Sequence, residues 1–357
     1  MARHFSELNI RAFRGIVNLE IPNLGDVNIL LGNNNCGKTS VLEAIQLVCD
    51  PSEYNIFKVG TQRIRYQKIN EKEFSPTESL KNIMNFSLEP ENEMNYKIDI
   101  SLTSAHKPIS FETMNKELFI TGRLLKVLKK GEEIDAIEVT IGNSYFDNNK
   151  KVIVYTSDFE QEYSAFSRVN NVKPDINFKA IYTIDHLIEP SFANILNNKA
   201  EISKVIKLLK HFDDSILDLR YVSRNGFSMP VIDTKDYEAM PLSSYGDGIK
   251  KVLTIIDAIV SSQNGIVLID EFEAAIHTTA MNEVFSFIIK ACKEMNVQLF
   301  LTTHSIEAVD KFLNCDKNEL DNIRIITLRK KNGKTYARVL DGNKAENLRF
   351  DNNAELR

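Results

Sequence analysis

An α/β fold is what this sequence predicts: a mixed central sheet bearing a glycine-bounded loop, together with an antiparallel β region and a helical insertion. Three observations predict it. Residues Val27 to Ile45 read as an apolar strand, a loop and an amphipathic helix in direct succession. Two later apolar runs, Gly265 to Ile269 and Val297 to Thr303, end in polar side chains, as buried parallel strands do at the edge where ligands sit. Between these parts, Tyr96 to Tyr155 alternates apolar and polar residues in four separate runs, the period of antiparallel strands.

The loop is the most specific element. Gly32 and Gly37 bracket four residues and precede Lys38 and Thr39, matching G-x-x-x-x-G-K-[ST] between a strand and a helix. A loop that wraps phosphates with backbone N–H groups needs glycine at its tight points, and a helix opening at Lys38 directs its N-terminal dipole at the anion. Asn33, Asn34, Asn35, Cys36, Gly37, Lys38, Thr39 and Ser40 are the candidate nucleotide-binding residues. Lys38 is expected to contact the β- and γ-phosphates of ATP, and Thr39 to ligate Mg2+. A Gly/Asn-rich turn that happens to precede Lys-Thr is the plain alternative, and chance supplies it rarely. The Cys36 thiol, beside the helix N-terminus, is expected to react with a maleimide and to be shielded by bound ATP.

Around this motif the chain reads as follows. Residues 5–22 alternate and carry Gly15 at a turn, predicting a hairpin laid beside the loop's strand. The helix from Lys38 carries Val41, Leu42, Ile45 and Val48 on one stripe and stops before Pro51. Residues 52–95 are polar, with Pro76 and Pro90, and read as surface loops around short helices; Gln62 and Gln67 lie among them. Over 197–219, Ile202, Val205, Ile206, Leu209, Phe212 and Ile216 are expected on one helical face, with Lys199, Lys204, Lys207 and Lys210 elsewhere. Charge runs of this kind are by general expectation solvated faces; a nucleic-acid-facing helix is the other reading. No heptad is sustained, and no internal repeat is present.

Composition narrows the class. The 357 residues are 43% hydrophobic, enough for a sizeable core, and the formal net charge of −5 lacks the strongly basic balance of a dedicated nucleic-acid binder. DNA is therefore not indicated by net charge, though local basic patches leave it open. The apolar runs are too short to span a bilayer and no signal-peptide block opens the chain, so a cytoplasmic protein without a membrane partner is expected. Cys36, Cys49, Cys292 and Cys315 form no C-x-x-C pair, which argues against a zinc site or a disulfide framework.

The second half carries the complementary groups. Leu242 to Lys251 place small residues before an apolar-periodic helix, a second loop-to-helix anion site. The strand after Gly265 ends in adjacent carboxylates: Asp270 to hold the magnesium shell and Glu271 to orient or deprotonate the attacking water. The next apolar strand ends in His304, at the same sheet edge as the acids. Taken together, Lys38, Glu271 and His304 are the candidate catalytic residues, with Thr39 and Asp270 for the metal.

This order of motifs resembles the ATP-binding heads of the ABC and SMC class, and more narrowly the ATPase portion of OLD-like proteins and their stand-alone relatives. The resemblance covers the chain in outline, from Asn9 to Gly15 through Asn352 to Arg357. It implies an ABC/SMC-type ATPase head, with Gly32 to Ser40 as Walker A, Ser244 to Asp247 as the signature loop, Asp270 and Glu271 as Walker B, Glu273 to His277 as the D-loop region, and His304 as the switch histidine. It also implies a homodimer closed around ATP, in which Ser244 and Gly246 reach the γ-phosphate held by the partner's Lys38. Tyr245 stands where the signature usually has a small residue, and Phe272 where proline is common after the acids. About fifty residues follow His304, too few for the metal-dependent Toprim nuclease domain of OLD nucleases, so no intrinsic nuclease is expected.

Three divisions of the chain follow: 1–51 and 231–357 as the two parts of the head, and 52–230 as an inserted β-rich and helical lobe. The function the resemblance implies is an ATPase that regulates a separate effector, a nuclease being one class, in bacterial anti-phage defence. A DNA-repair or recombination ATPase acting on DNA directly, and a nucleotide-gated scaffold with negligible hydrolysis, are the competing functions.

Overall fold

The computed structural model describes residues 3–51, 53–61, 82–88, 94–105, 115–129, 132–143, 150–155, 176–182, 185–188, 190–224, 227–237, 239–351 and 355–356. In chain order the elements begin with strands β1 (Phe5–Phe13), β2 (Ile16–Ile21) and β3 (Val27–Leu31) and helices α1 (Lys38–Cys49) and α2 (Glu53–Thr61). Strands β4 (Asn85–Leu88), β5 (Met94–Ser104), β6 (Lys116–Lys129), β7 (Glu132–Asn143), β8 (Lys150–Tyr155) and β9 (Phe178–Ile181) follow. Then come α3 (Asp185–Ile188), α4 (Ala193–Asn197), α5 (Lys199–Leu209), β10 (Ile216–Arg224), β11 (Phe227–Thr234) and β12 (Met240–Pro241). The chain closes with α6 (Asp247–Ser261), β13 (Ile266–Ile269), α7 (Met281–Met295), β14 (Gln298–Thr303), α8 (Ile306–Cys315), β15 (Ile323–Lys331), β16 (Lys334–Asp341) and α9 (Gly342–Glu346).

A six-stranded mixed sheet in the order β16-β15-β3-β14-β13-β9 is the centre of the molecule. Strands β15, β3, β14, β13 and β9 run parallel, and only β16 is antiparallel. The apolar runs have a simple cause: both faces of this sheet are covered. Val27, Ile29 and Leu31 of β3 enter the core under α6, α7 and α8, while Leu30 enters a second core around α1. Val267 and Ile269 against Leu268, and Leu299 and Leu301 against Phe300, divide in the same way.

The second core lies between the central sheet and an antiparallel sheet in the order β2-β1-β5-β6-β7-β8, with β4 on β5. All four runs expected between Tyr96 and Tyr155 are strands of it. Helix α1 fills the gap, with Val41, Leu42, Ile45 and Val48 buried. A third, small sheet, β10-β11-β12, packs beside α5.

Four expectations are corrected. The N-terminal hairpin forms, but β1 pairs with β5, not with the loop's strand. Both edges of β3 are already taken, by β14 and β15, so no place is left for it. Residues 53–61 form a short helix as expected there, but it is not confined to the surface: Ile56 and Val59 are buried, and Asn55 bonds Gln46 of α1 at 2.5 Å. Gln62, Gln67, Pro76 and Pro90 lie outside the described residues. The expected helix over 197–219 ends at Leu209, because Asp213 accepts from the N–H and hydroxyl of Ser215 in a turn, and Ile216 opens β10. Leu209 and Ile216 still reach one core, so the apolar spacing spans two elements. Finally, the stretch 52–230 divides: its first part builds the antiparallel sheet, whereas β9 pairs in parallel with β13 and α4 packs on α6. A strand with apolar neighbours on one free edge of the central sheet is drawn there by burial, whatever its place in the sequence.

No described helix is long and apolar enough to cross a membrane.

Candidate functional site

The glycine loop leaves β3 and enters α1 as a tight wrap. Gly37 caps α1 at φ 103°, Asn35 has φ 61°, and a Cβ at Gly32 would lie 2.5 Å from the Leu328 carbonyl oxygen. Lys38 turns back over the loop. Its buried ammonium donates to the carbonyls of Gly32 at 2.7 Å and Asn33 at 3.0 Å, and its third contact is Nδ1 of His304 at 3.2 Å. Burial pushes the Lys38 ammonium below the usual lysine range, opposed by Cys36, Asp270, Glu271 and Glu273.

The carboxylates arrive from β13. Thr39 Oγ1 donates to Asp270, 3.1 Å from Oδ1 and 3.2 Å from Oδ2, and Thr302 Oγ1 donates to Oδ1 at 2.6 Å. Burial raises the Asp270 carboxyl above the usual range, against the pull of Thr302 and Thr39, and neighbouring Glu271 and Glu43 raise it further. Glu271 sits in the left-handed region at φ 48°, a conformation unfavourable for a residue with a side chain. The turn is over-determined: the Asp270 N–H donates to Ile181, the Glu271 N–H to Thr302 Oγ1 at 2.9 Å, and the Phe272 N–H to the Thr302 carbonyl at 3.2 Å. Phe272 occupies a proline-like place with a donor a proline lacks, and its ring packs on Phe285 and Phe312 at 5.0 and 5.8 Å.

His304 faces Glu271, with Nε2 3.5 Å from Oε1, while its N–H donates to Glu273. Around a cavity of about 440 Å3 stand Asn34, Asn35, Gly37, Lys38, Thr39, Ser40, Glu271 and His304. Lys38, Thr39, Asp270, Glu271 and His304 are therefore brought together by three parallel strands that end side by side.

Other candidates are elsewhere. Asn33 contributes its carbonyl to Lys38 rather than a wall of the cavity. Cys36 is 3% exposed beneath the loop, so its thiol is out of a maleimide's reach in the folded chain. Ser244 and Gly246 are exposed and line no part of the cavity; they precede α6, whose first turn holds a Lys250–Asp247 ion pair of 2.6 Å. Lys204 of α5 bonds Glu294 at 2.5 Å and Glu201 at 3.2 Å, so its charge meets carboxylates of this chain.

Sequence reasoning missed four contributors. Thr302 is one, signalled only by its place two residues before His304. Arg14, at the β1–β2 turn, lines the cavity and holds the buried Glu43 of α1 at 2.8 Å. Lys330 and Thr335, from the β15–β16 hairpin, line its other side; no local pattern marks them.

The donor set suits a magnesium nucleotide. Thr39 and Asp270 present hard oxygen atoms 3.1 and 3.2 Å apart, near the roughly 2.9 Å between neighbouring ligands of octahedral magnesium. The loop amides, Lys38 and the α1 N-terminus supply positive potential beside them.

The chain as a whole is similar to known proteins. Residues 27–310 match the family model described as "AAA domain, putative AbiEii toxin, Type IV TA system". An ATP/GTP phosphatase of Helicobacter pylori (strain ATCC 700392 / 26695) is 24% identical over 329 residues, covering 85% of this chain and 86% of that protein. An uncharacterised protein of Methanocaldococcus jannaschii is 36% identical over 85 residues, 24% of this chain and 75% of that one. Among solved structures, an Smc head bound to the C-winged helix domain of ScpA aligns with a TM-score of 0.54 at 13% identity, over 96% of this chain and 99% of that one. The Smc head with an extended coiled coil, bound to the C-terminal domain of ScpA from Pyrococcus furiosus, aligns at 0.52 and 12% identity, over 98% and 99%. The fold is that of an ABC/SMC-type ATPase head.

Proposed function

Because the chain belongs to this AAA-domain family, which its residues 27–310 match, we propose that it binds ATP with Mg2+ and hydrolyses it to ADP and phosphate. The observation that carries the proposal is the convergence of Lys38, Glu271 and His304 on one cavity, with Thr39 and Asp270 beside them.

In this reading the loop amides and Lys38 bind the β- and γ-phosphates, Lys38 exchanging its bonds to Gly32 and Asn33 for phosphate oxygens. Thr39 and Asp270 would hold Mg2+, which would supply positive charge to the phosphates. Glu271 takes the proton of the attacking water, and the backbone turn locked by Thr302 fixes where its carboxylate points. His304, anchored through its N–H on Glu273, orients that carboxylate and the γ-phosphate.

The chain closes as a homodimer around ATP, Ser244 and Gly246 of one subunit completing the site of the other. Their exposure outside the cavity supports this. We place the ATPase in bacterial defence, regulating a separate effector; the family description, which names a toxin–antitoxin system, supports that setting.

The test is phosphate release from ATP and GTP by the full chain, with and without Mg2+, against Lys38→Ala. Release that is Mg2+-dependent and lost in Lys38→Ala supports the proposal. Equal release by the variant, or no nucleotide binding by the wild type, sinks it.

A further inference from the structure

Among the described residues, two buried side-chain atoms of opposite charge near the acidic edge make no hydrogen bond: Nζ of Lys251 and Oε2 of Glu273. Lys251 lies on α6 and is fully buried. Glu273 lies on the turn after Asp270 and Glu271. The two elements touch, since a Cβ on Gly248 of α6 would fall 2.9 Å from the carbonyl oxygen of Ala275.

Of the carboxylates whose charges act on Lys251, Glu273 is the one with a buried oxygen that makes no hydrogen bond. Burial pushes its ammonium below the usual lysine range, and Asp270, Asp185, Glu273 and Glu271 push it back. Asp270 already accepts from Thr39 at both oxygens and from Thr302 at Oδ1. Asp185 Oδ2 accepts from the Tyr182 N–H at 2.7 Å. Glu271 faces His304. Glu273 holds the Thr303 hydroxyl at 2.7 Å and the His304 N–H at 3.2 Å, both through Oε1, which leaves Oε2 unused. A buried ammonium and a buried carboxylate oxygen without partners are both unfavourable, and a rearrangement of the two side chains at this contact that brings Nζ to Oε2 would satisfy them together.

We propose that Lys251 is a positioning residue whose ammonium pairs with Oε2 of Glu273 when nucleotide closes the site, tying α6, and with it the loop of Ser244 and Gly246, to the strand end that carries His304. The inference rests on the nucleotide-hydrolysing reading of the site. The pair contributes to the closed state only, so it biases closure as a contact that differs between two states must.

The experiment compares full-length wild type, Lys251→Met, Glu273→Gln and the double variant. Without nucleotide or metal, Lys251→Met should melt at or above wild type, because methionine fills the site without an unpaired charge. With ATP and Mg2+, Lys251→Met should lose about tenfold in kcat with KM within about threefold, and the double variant should match it rather than multiply the losses. A Lys251→Met chain that melts several degrees lower or does not fold shows the lysine already satisfied in the free state and overturns the proposal. Wild-type kcat in that variant, or multiplicative losses in the double, overturns it equally. If wild type turns over no faster than Lys38→Ala, the hydrolysis reading fails, and the rise in melting temperature on adding ATP decides about Lys251. That rise should be smaller in Lys251→Met; an equal rise sinks the pairing.

Discussion

Nζ of Lys38 lies 3.2 Å from Nδ1 of His304, although 266 positions separate them in the chain. An ammonium only donates, so Nδ1 accepts and the imidazole carries its proton on Nε2, the nitrogen 3.5 Å from Glu271 Oε1. The histidine thus joins the lysine proposed to bind phosphate to the carboxylate proposed as base. Replacing His304 by Ala should lower kcat for ATP by about 10²- to 10³-fold while nucleotide affinity changes little. Steady-state phosphate release and titration with a fluorescent ATP analogue separate the two; unchanged kcat would remove His304 from the mechanism.

Glu271→Gln keeps the backbone bond to Thr302 and the side-chain size but removes the base. Turnover should fall about 10²-fold or more, and the ATP-bound dimer should persist. Ser244→Arg should bind ATP as a monomer and fail to close. Light scattering with ATP and Mg2+ decides: no shift toward a dimer in Glu271→Gln, or a wild-type shift in Ser244→Arg, is incompatible with the sandwich.

Asp270→Asn should stabilise the nucleotide-free chain and abolish Mg2+-dependent turnover. The sign follows from burial, which holds the folded carboxyl above its unfolded value. The folded state then binds the proton more readily, so stability falls as pH rises through that interval. At neutral pH wild type carries a desolvated charge that asparagine lacks, and the variant should melt higher. Near pH 4 and below, where both states become protonated, the difference should shrink toward zero. An advantage that grows on acidification would contradict this account.

Phe272 is 1% exposed and touches the rings of Phe285 and Phe312. Phe272→Ala should cost about 3–5 kcal/mol of stability by leaving a cavity, measured by denaturant unfolding. Phe272→Pro should lose turnover as well, because it also removes the N–H that bonds the Thr302 carbonyl next to Asp270. A proline variant with wild-type turnover would show that this bond does not hold the acidic turn.

The pieces whose signals are local can be read in the amino-acid sequence alone. A glycine-bounded loop between strand and helix, a strand ending in Asp270 and Glu271, and a strand ending in His304 are legible because phosphate wrapping and buried parallel strands impose residue types at fixed, short spacings. The alternation from Tyr96 to Tyr155 is legible for the same reason. Which of these pieces meet is set by the packing of the whole fold. The order β15-β3-β14-β13-β9 places β14 between the loop strand and the acid strand, which carries Thr302 onto Asp270 and His304 onto Lys38. It also denies β3 a free edge and sends the N-terminal hairpin to β5. Such pairings depend on which edges remain open and which faces remain uncovered once the whole chain has collapsed, and period-two or period-3.6 patterns within one segment carry no record of either. Ile216 shows the limit: its helical spacing from Leu209 reflects a shared core reached from two different elements.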